Sequence, residues 1–146
     1  MELDGSYQIN ERLNAFGAIA FNDGMADTFP DSTLSSVREP VSRLLPLTGI
    51  LGLRCDLSDS QWIELSTIIS DKQDKLNTRD RRDAQRIPPG GTPSYTIFNL
   101  RYGLQLTEQF LLTAAIENIT DQDYRIHGSG QNEPGINFIF GASINF

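Results

Sequence analysis

The sequence lacks several features that would place it in common protein classes. It has no run of about 18 or more apolar residues, which excludes a transmembrane helix. A single cysteine, Cys55, excludes an internal disulfide framework and a cysteine-rich zinc site. The net charge of −7 argues against nucleic acid as a partner, because surfaces that bind nucleic acid are basic.

Signals for export and for catalysis are also missing. The first residues, Met1–Gly5, carry neither a basic n-region nor an apolar h-region, so we expect no signal peptide within this sequence. If the protein is exported, its beginning lies elsewhere. There is no P-loop and no dinucleotide fingerprint, and the single histidine has no adjacent nucleophile. The sequence therefore predicts no enzyme, no cofactor and no metal site.

Apolar residues recur along much of the chain with a period of two, which is the period of a β-strand. In the last ten residues, one face carries Phe138, Phe140, Ala142, Ile144 and Phe146, and the other face is small or polar. The pattern predicts an all-β protein. We expect seven strands, at Glu2–Ile9, Leu13–Phe21, Leu47–Leu57, Gln61–Ser70, Thr96–Leu106, Phe110–Asn118 and Asn137–Phe146.

The connections between these strands alternate in length. Those near Asn10, Ser58 and Glu108 are tight, whereas about 25, 23 and 17 residues separate the strands at Asn22–Pro46, Asp71–Pro93 and Ile119–Gly135. Transmembrane β-barrels have short periplasmic turns and long extracellular loops. The alternation therefore predicts an antiparallel up-and-down transmembrane β-barrel portion, with its last residue on the periplasmic side.

Two segments resemble a known family. The first is Ile87–Pro93 (IPPGGTP), which is followed by the strand YTIFNL. The second is Glu117–Gly130 (ENITDQDYRIHGSG), which continues through Pro134 and Gly135 into the aromatic strand that ends in Phe146. Together they resemble the C-terminal region of TonB-dependent outer-membrane receptors. Two positions depart from the family pattern: Asn99 replaces a common Asp, and Ile136 replaces a common Arg. We expect neither to affect the fold.

The resemblance implies that residues 1–146 are the C-terminal segment of a receptor barrel of about 22 strands with a plugged lumen. The plug domain would be absent from this chain. The whole protein would reside in the bacterial outer membrane and take up a scarce ligand such as a ferric siderophore. Its partners would be the rest of the barrel and the plug, TonB acting through that plug, and outer-membrane lipid. The barrel-assembly machinery would read a signal in the last strand, at Phe138, Phe140, Ile144 and Phe146.

The last long loop contains the candidate ligand-binding residues, Arg125, His127, Asn132 and Glu133. We interpret His127 as a loop histidine rather than a metal ligand, with positive φ values at Gly128 and Gly130. The alternating carboxylates of Asp121 and Asp123 favour a turn over a calcium site.

The sequence also predicts where its charged and aromatic residues lie. The mixed charges between Asp71 and Arg86 indicate a solvated loop with local pairs, although a patch for phosphate groups is an alternative. Five strand residues fall on the polar face, which would line the lumen: Arg54, Asp56, Glu64, Arg101 and Glu117. Candidates for aromatic girdles are Tyr7, Tyr102, Phe110 and Phe146.

Two other functional classes stay open. A small outer-membrane barrel could act structurally or in adhesion without transport, and an even strand number with its own signal peptide would favour that class. An outer-membrane lipase or protease would need a histidine beside a nucleophile or a carboxylate on adjacent strands. The sequence does not identify the transported ligand.

Overall fold

A computed structural model of the chain describes residues 1–30 and 35–146. It contains nine strands and one short helix in these ranges. The strands are β1 (Glu2–Asn10), β2 (Leu13–Ala20), β3 (Met25–Thr28), β4 (Val37–Pro40), β5 (Thr48–Ser58), β6 (Gln61–Ser70), β7 (Tyr95–Gln105), β8 (Phe110–Glu117) and β9 (Asn137–Ile144). The helix is α1 (Thr78–Arg82).

Seven of the strands form one antiparallel sheet in the order β1-β2-β5-β6-β7-β8-β9, so each strand pairs with the next long strand along the chain. This meander confirms all seven predicted strands and the three predicted tight turns. The last strand was predicted two residues too long. Pairing in β9 ends at Ile144, and Asn145 donates its backbone N–H to the Gln109 carbonyl in the neighbouring turn at 2.9 Å.

The strand register aligns one alternating set of largely apolar residues from all seven strands on one face of the sheet. Ala15 lies opposite Leu53, Leu53 opposite Leu65, and Leu65 opposite Leu100, so the alternation continues across neighbouring strands. This face is open: Leu51 is 58% exposed and Phe140 is 81% exposed. The only buried apolar residues in the described ranges are Leu76, Ile87 and Ile97. A soluble sheet with one apolar face would bury that face, whereas the apolar face of this sheet is exposed.

The opposite face is polar and carries a row of alternating charges. Arg54, Glu64 and Arg101 lie directly across from one another on β5, β6 and β7. Arg101 also reaches Glu117 at 3.4 Å, and Arg54 approaches Asp56 at 3.7 Å. All five polar-face residues predicted from the sequence therefore share one face.

Aromatic rings cover glycines of adjacent strands on this polar face. The Trp62 indole lies over Gly103, and the Phe16 ring lies over Gly52, each so closely that a methyl group on the glycine would overlap the ring. The Arg54 guanidinium in turn lies 4.1 Å from the Trp62 ring centre, which is a cation–π contact. Glycine at these positions leaves the space that the rings occupy.

The predicted girdle aromatics gather at the short-turn end of the sheet. Tyr7 and Tyr102 lie near the ends of β1 and β7, Phe110 begins β8, and Phe146 follows β9. The Tyr102 hydroxyl donates to Gln61 Oε1 at 2.9 Å. A second set of exposed rings, Phe21, Phe98 and Phe138, lies toward the long-loop end.

The long loops contain structure that the sequence did not predict. Strands β3 and β4 form a separate two-stranded hairpin in the first loop, and α1 lies in the second. Asn77 caps α1, since its side chain accepts the backbone N–H of Asp80 at 2.8 Å. No helix in the described part of the chain is long and apolar enough to cross a membrane.

Replacing Gly103 with alanine should lower the free energy of unfolding by about 1–3 kcal/mol, because the Trp62 ring must move away from β7. Trp62 is the only tryptophan, so its fluorescence reports both the displacement and the unfolding. The matched control is Gly5→Ala, since a methyl group at position 5 meets no atom within 4 Å. Equal losses in the two variants would contradict the packing described.

Candidate functional site

The three long loops converge at one end of the sheet, and we call them L1 (residues 21–47), L2 (71–94) and L3 (118–136). Strands β3 and β4 belong to L1, and α1 belongs to L2. Side chains from each loop contact the others. Together with the end of the sheet, the loops enclose Leu76 and Ile87, two of the three buried apolar residues of the described chain.

A buried carboxylate joins L1 to L2. Asp80 is 2% exposed, and its oxygens accept the Ser42 hydroxyl at 2.6 Å and the Arg43 backbone N–H at 3.2 Å. The sequence interpretation of this stretch as a solvated loop is therefore wrong at Asp80. The Ser42 hydroxyl and the Arg43 N–H are the partners that a buried carboxylate requires, and the Asp80 backbone N–H separately donates to the Asn77 side chain.

A second carboxylate, Asp83, lies between two arginines of different loops. Its Oδ2 is 3.1 Å from the Arg43 guanidinium of L1 and 3.2 Å from that of Arg86 in L2. Burial acts to raise the pKa of Asp83, but its hydrogen bonds and charge contacts with Arg86 and Arg43 outweigh burial and lower that pKa. Asp83 therefore stays ionised and links the two loops.

A third carboxylate, Glu39 on β4, is bonded to the start of α1. It accepts the Thr78 backbone N–H at 2.8 Å and the Thr78 hydroxyl at 2.9 Å, and it also accepts the Thr28 hydroxyl. The hydrogen bond from Thr28 is the main cause of the lowered pKa of Glu39. The two hydrogen bonds that Glu39 accepts from Thr78 hold the β3–β4 hairpin against L2.

The outermost charges of L2 agree better with the sequence interpretation. Lys72 pairs with Asp74 at 3.1 Å in an exposed local contact. Lys75 pairs with Asp23 of L1 at 3.2 Å, and both side chains are more than half exposed. Exposed pairs of this kind contribute little to stability.

Asn118 organises the path of L3. It adopts a positive φ of 51° and is 2% exposed. Its side-chain amide donates to the carbonyls of Gln122 at 2.8 Å and Pro134 at 3.2 Å, and its side-chain oxygen accepts the Gln122 N–H at 2.9 Å. One side chain thus joins the beginning of L3 to its end.

Asn99 supports Asn118 from the adjacent strand. The buried Asn99 side-chain oxygen accepts the Asn118 backbone N–H at 3.0 Å. This bond anchors L3 to β7, and the expectation that Asn in place of Asp leaves the fold unchanged stays a prediction. A carboxylate at position 99 could accept the same N–H.

The carboxylates at positions 121 and 123 are part of the loop framework. Asp121 has a positive φ of 51° and accepts the Ile136 backbone N–H at 2.9 Å. Asp123 accepts the Asn132 side-chain amide at 2.7 Å. Both contacts cross L3 to residues 15 and 9 positions further along the chain, and the local turn here is made by the Asp121 N–H, which donates to the Asn118 carbonyl at 2.9 Å. Within residues 1–30 and 35–146, no three His, Cys, Asp or Glu side chains come together in a way that could hold a metal ion.

The structure brings only some of the predicted ligand-binding residues together. Arg125 donates to the Asn132 side-chain oxygen at 2.9 Å, in an exposed part of L3. The Glu133 backbone N–H bonds the Tyr124 carbonyl at 2.9 Å. Burial and the nearby Glu133 charge raise the pKa of Tyr124, whose ring lies 4.7 Å from that of Tyr95.

His127 lies apart from these residues, at the junction of the three loops. It is 7% exposed, and its Nδ1 hydrogen-bonds the Thr92 hydroxyl of L2 at 2.8 Å. Its Nε2 is buried without a hydrogen-bond partner among the described residues. Burial lowers the pKa of His127, the Asp80 carboxylate raises it, and the Arg43 guanidinium lowers it further, with a net decrease.

The glycines that follow His127 adopt the predicted conformation. Gly128 and Gly130 have φ values of 81° and 87°. Both glycines lie close to arginines: a Cβ at Gly128 would be in ordinary contact with Arg43 Cδ at 3.6 Å, and one at Gly130 would lie 3.3 Å from Arg86 Cγ, which is tighter than usual. L3 therefore packs directly on arginines of L1 and L2.

Comparison with known proteins identifies the architecture. No protein-family model and no curated protein matches the chain. Among solved structures, it is similar to the copper transporter OprC, with a TM-score of 0.75, 20% identity and 99% of this chain covered. The chain has the antiparallel all-β fold of the part of that structure with which it aligns. A second similar structure is the ferric-catecholate import receptor Fiu from E. coli K12 in its closed form, with a TM-score of 0.55, 12% identity and 99% of this chain covered.

The receptor-barrel fold agrees with the two faces of the sheet. In such barrels the outer surface is apolar and the interior is polar, as the opposite faces of β5, β6 and β7 are here. The chain spans 22% of the OprC chain and 27% of the Fiu chain.

Replacing Asn118 with alanine should destabilise L3 by about 1–3 kcal/mol, because buried backbone groups lose their partners. Hydrogen exchange of the amides at residues 119–136 measures the change. A second variant, Asn118→Gly, keeps the positive φ and isolates the side-chain bonds. The control is Asn132→Ala, whose exposed contacts should contribute less than about 1 kcal/mol. The assignment of Asn118 as the organiser of L3 fails if Asn132→Ala loosens the loop as much.

Proposed function

We propose that this chain forms part of the wall and outer loops of an outer-membrane TonB-dependent receptor that takes up a scarce ligand. The observation that carries the proposal is the open apolar face shared by seven antiparallel strands. A hydrocarbon surround is the environment in which that face is stable. The aromatic residues at both ends of the strands are suited to the two interfaces of a bilayer.

The edges of the sheet support a larger barrel. In the described chain, β1 pairs only with β2, and β9 pairs only with β8. Each outer edge thus presents backbone groups that need partners, and in lipid an unsatisfied group costs several kcal/mol. We infer that further strands flank β1 and β9, and that a plug domain faces the charged row at Arg54, Glu64 and Arg101.

Assembly and energy coupling follow from the same proposal. Strand β9 presents Phe138, Phe140 and Ile144 on its exposed apolar face, and Phe146 follows them. We infer that the barrel-assembly machinery recognises this set of residues. TonB would act on the plug, which moves when energy arrives from the inner membrane.

The ligand would meet the protein at the exposed part of L3. Arg125 offers a positive charge and Asn132 an amide, so an anionic metal complex such as a ferric siderophore suits this surface. OprC transports copper and Fiu imports ferric catecholate, so a metal or its complex is the class of ligand that the comparisons favour. The negative charge of Glu133 would limit which charged ligands bind at this surface. His127 is buried, so it would affect binding without contacting the ligand.

An enzymatic function has weaker support. Thr92 and His127 form a hydroxyl–imidazole pair at 2.8 Å, which resembles a nucleophile with its base. The two residues are 2% and 7% exposed, so a substrate cannot reach them in this conformation. The pair is better placed for holding loops together than for hydrolysis.

The membrane orientation of the sheet can be tested on β1. Gly5 lies on the apolar face in the middle of the strand, and Ser6 lies beside it on the polar face. Gly5→Lys should destabilise the protein in lipid vesicles by about 2–4 kcal/mol, because it places a charge near the middle of the bilayer. Ser6→Lys is the matched control at the same depth and should cost less than about 1 kcal/mol. Urea midpoints in vesicles give both values, and a larger loss for Ser6→Lys would reverse the proposed orientation.

Uptake is tested in cells of the native host. Deleting the gene should abolish import of either labelled ferric catecholate or labelled copper(II), and restoring the gene should restore that import. Arg125→Ala should weaken binding by about tenfold if a charged contact worth ~1.5 kcal/mol is lost. Lys72→Ala serves as the exposed control from L2. Normal import of both labels in the deletion strain, with the protein present in the outer membrane of the parent, would favour a structural or adhesive barrel instead.

A further inference from the structure

We propose that His127 is a proton-sensitive latch that holds L3 against L1 and L2 at neutral pH and releases it on acidification. The latch is a property of the loop cluster and goes beyond the proposed uptake function. It requires no particular ligand, so its test is independent of the uptake experiments.

The position of His127 gives L3 a hydrogen-bonded connection to both other loops. Its ring is bonded to Thr92, and the backbone of Thr92 pairs in both directions with Gln73, at 2.9 and 3.0 Å. The Gln73 side chain then donates to the Leu44 carbonyl of L1 at 2.6 Å. A continuous path of hydrogen bonds therefore runs from L3 through L2 to L1.

The ring is accommodated in its neutral form. In the neutral tautomer that carries its proton on Nδ1, this N–H donates to the Thr92 hydroxyl and Nε2 needs no acceptor. A protonated ring has two N–H donors, and the one on Nε2 would be buried without an acceptor among the described residues. A buried charge without a full set of partners is costly, so protonation favours movement of the ring toward water.

The charges around the ring come from the other two loops, L1 and L2. Arg43 of L1 packs beside Gly128 and opposes a second positive charge, while Arg86 of L2 packs beside Gly130. Asp80 of L2 attracts the protonated ring, but its carboxylate oxygens already accept the Ser42 hydroxyl and the Arg43 N–H. Asp83 partly balances both arginines through its ion pairs. Burial and Arg43 together outweigh Asp80.

These opposing effects set the direction of the pH response. The pKa of His127 in the closed loop lies below its ordinary value of 6.5, with burial as the largest cause. The closed loop is therefore favoured most above pH 6.5, and this stabilisation is lost as pH falls below that value toward the lowered pKa. His127 is the only histidine, and the lowered pKa values of Glu39 and Asp83 lie below 4.5 and 3.8. Among the loop groups with shifted pKa values, His127 is the one whose ordinary value lies between pH 5 and 8.

Hydrogen exchange of the native protein, purified in detergent from the membranes of its host, provides the test. The probe is the set of amides at residues 124–131, with amides in the middle of β6 as an internal reference. After correction for the intrinsic effect of pH on exchange, the opening equilibrium of L3 should rise by up to about tenfold per pH unit below 6.5. The β6 amides should show no such rise.

Two variants separate the latch from general acid instability. His127→Gln keeps a polar side chain near Thr92 but does not titrate, so its L3 exchange should be flat between pH 5 and 8. Arg43→Gln keeps the backbone N–H that bonds Asp80 and removes the opposing charge, so the pH response should become shallower. If His127→Gln does not fold, the pH response of Arg43→Gln decides whether the proposal holds. A flat response in the native protein, or an unchanged response in His127→Gln or in Arg43→Gln, would overturn the proposal.

Discussion

Antiparallel hydrogen bonds between successive strands hold the sheet in register, and the register determines the character of each face. A shift of one residue in any strand would move its apolar side chains among the charges of the opposite face. The pairs Ala15–Leu53 and Leu53–Leu65 show how the same alternation passes from strand to strand. The open apolar surface, the row of charges and the position of the three loops all depend on this pairing.

The loops are held by a different set of interactions, in which a few buried polar side chains each bond several partners. Asp80 joins L1 to L2, Asn118 joins the two ends of L3, and His127 joins L3 to L2. Few apolar residues are buried beneath the loops, so hydrogen bonds carry much of their organisation. Such a cluster is sensitive to changes of charge in a way that an apolar core is not.

The sequence predicted the sheet well because period-two alternation is a local property of each strand. It predicted the seven strands, the tight turns and the shared face of Arg54, Glu64 and Arg101. The burial of Asp80 had no local signal, because its L1 partners lie 37 and 38 residues away. Strands β3 and β4 were missed because four residues are too few to display a period. Asn77 before Asp80 was the one available sign of α1, a cap residue followed by an acidic first turn.

On the polar face, two aromatic rings pack against glycines that are distant in the sequence. This packing limits which substitutions each partner of a pair can accept. Trp62 and Gly103 occupy one shared volume, and so do Phe16 and Gly52. A larger residue at either glycine becomes acceptable only when the facing ring is replaced by something smaller. Among descendants of this sequence, each pair should therefore change together or not at all, and the polar face of the sheet would be remodelled in steps of two residues.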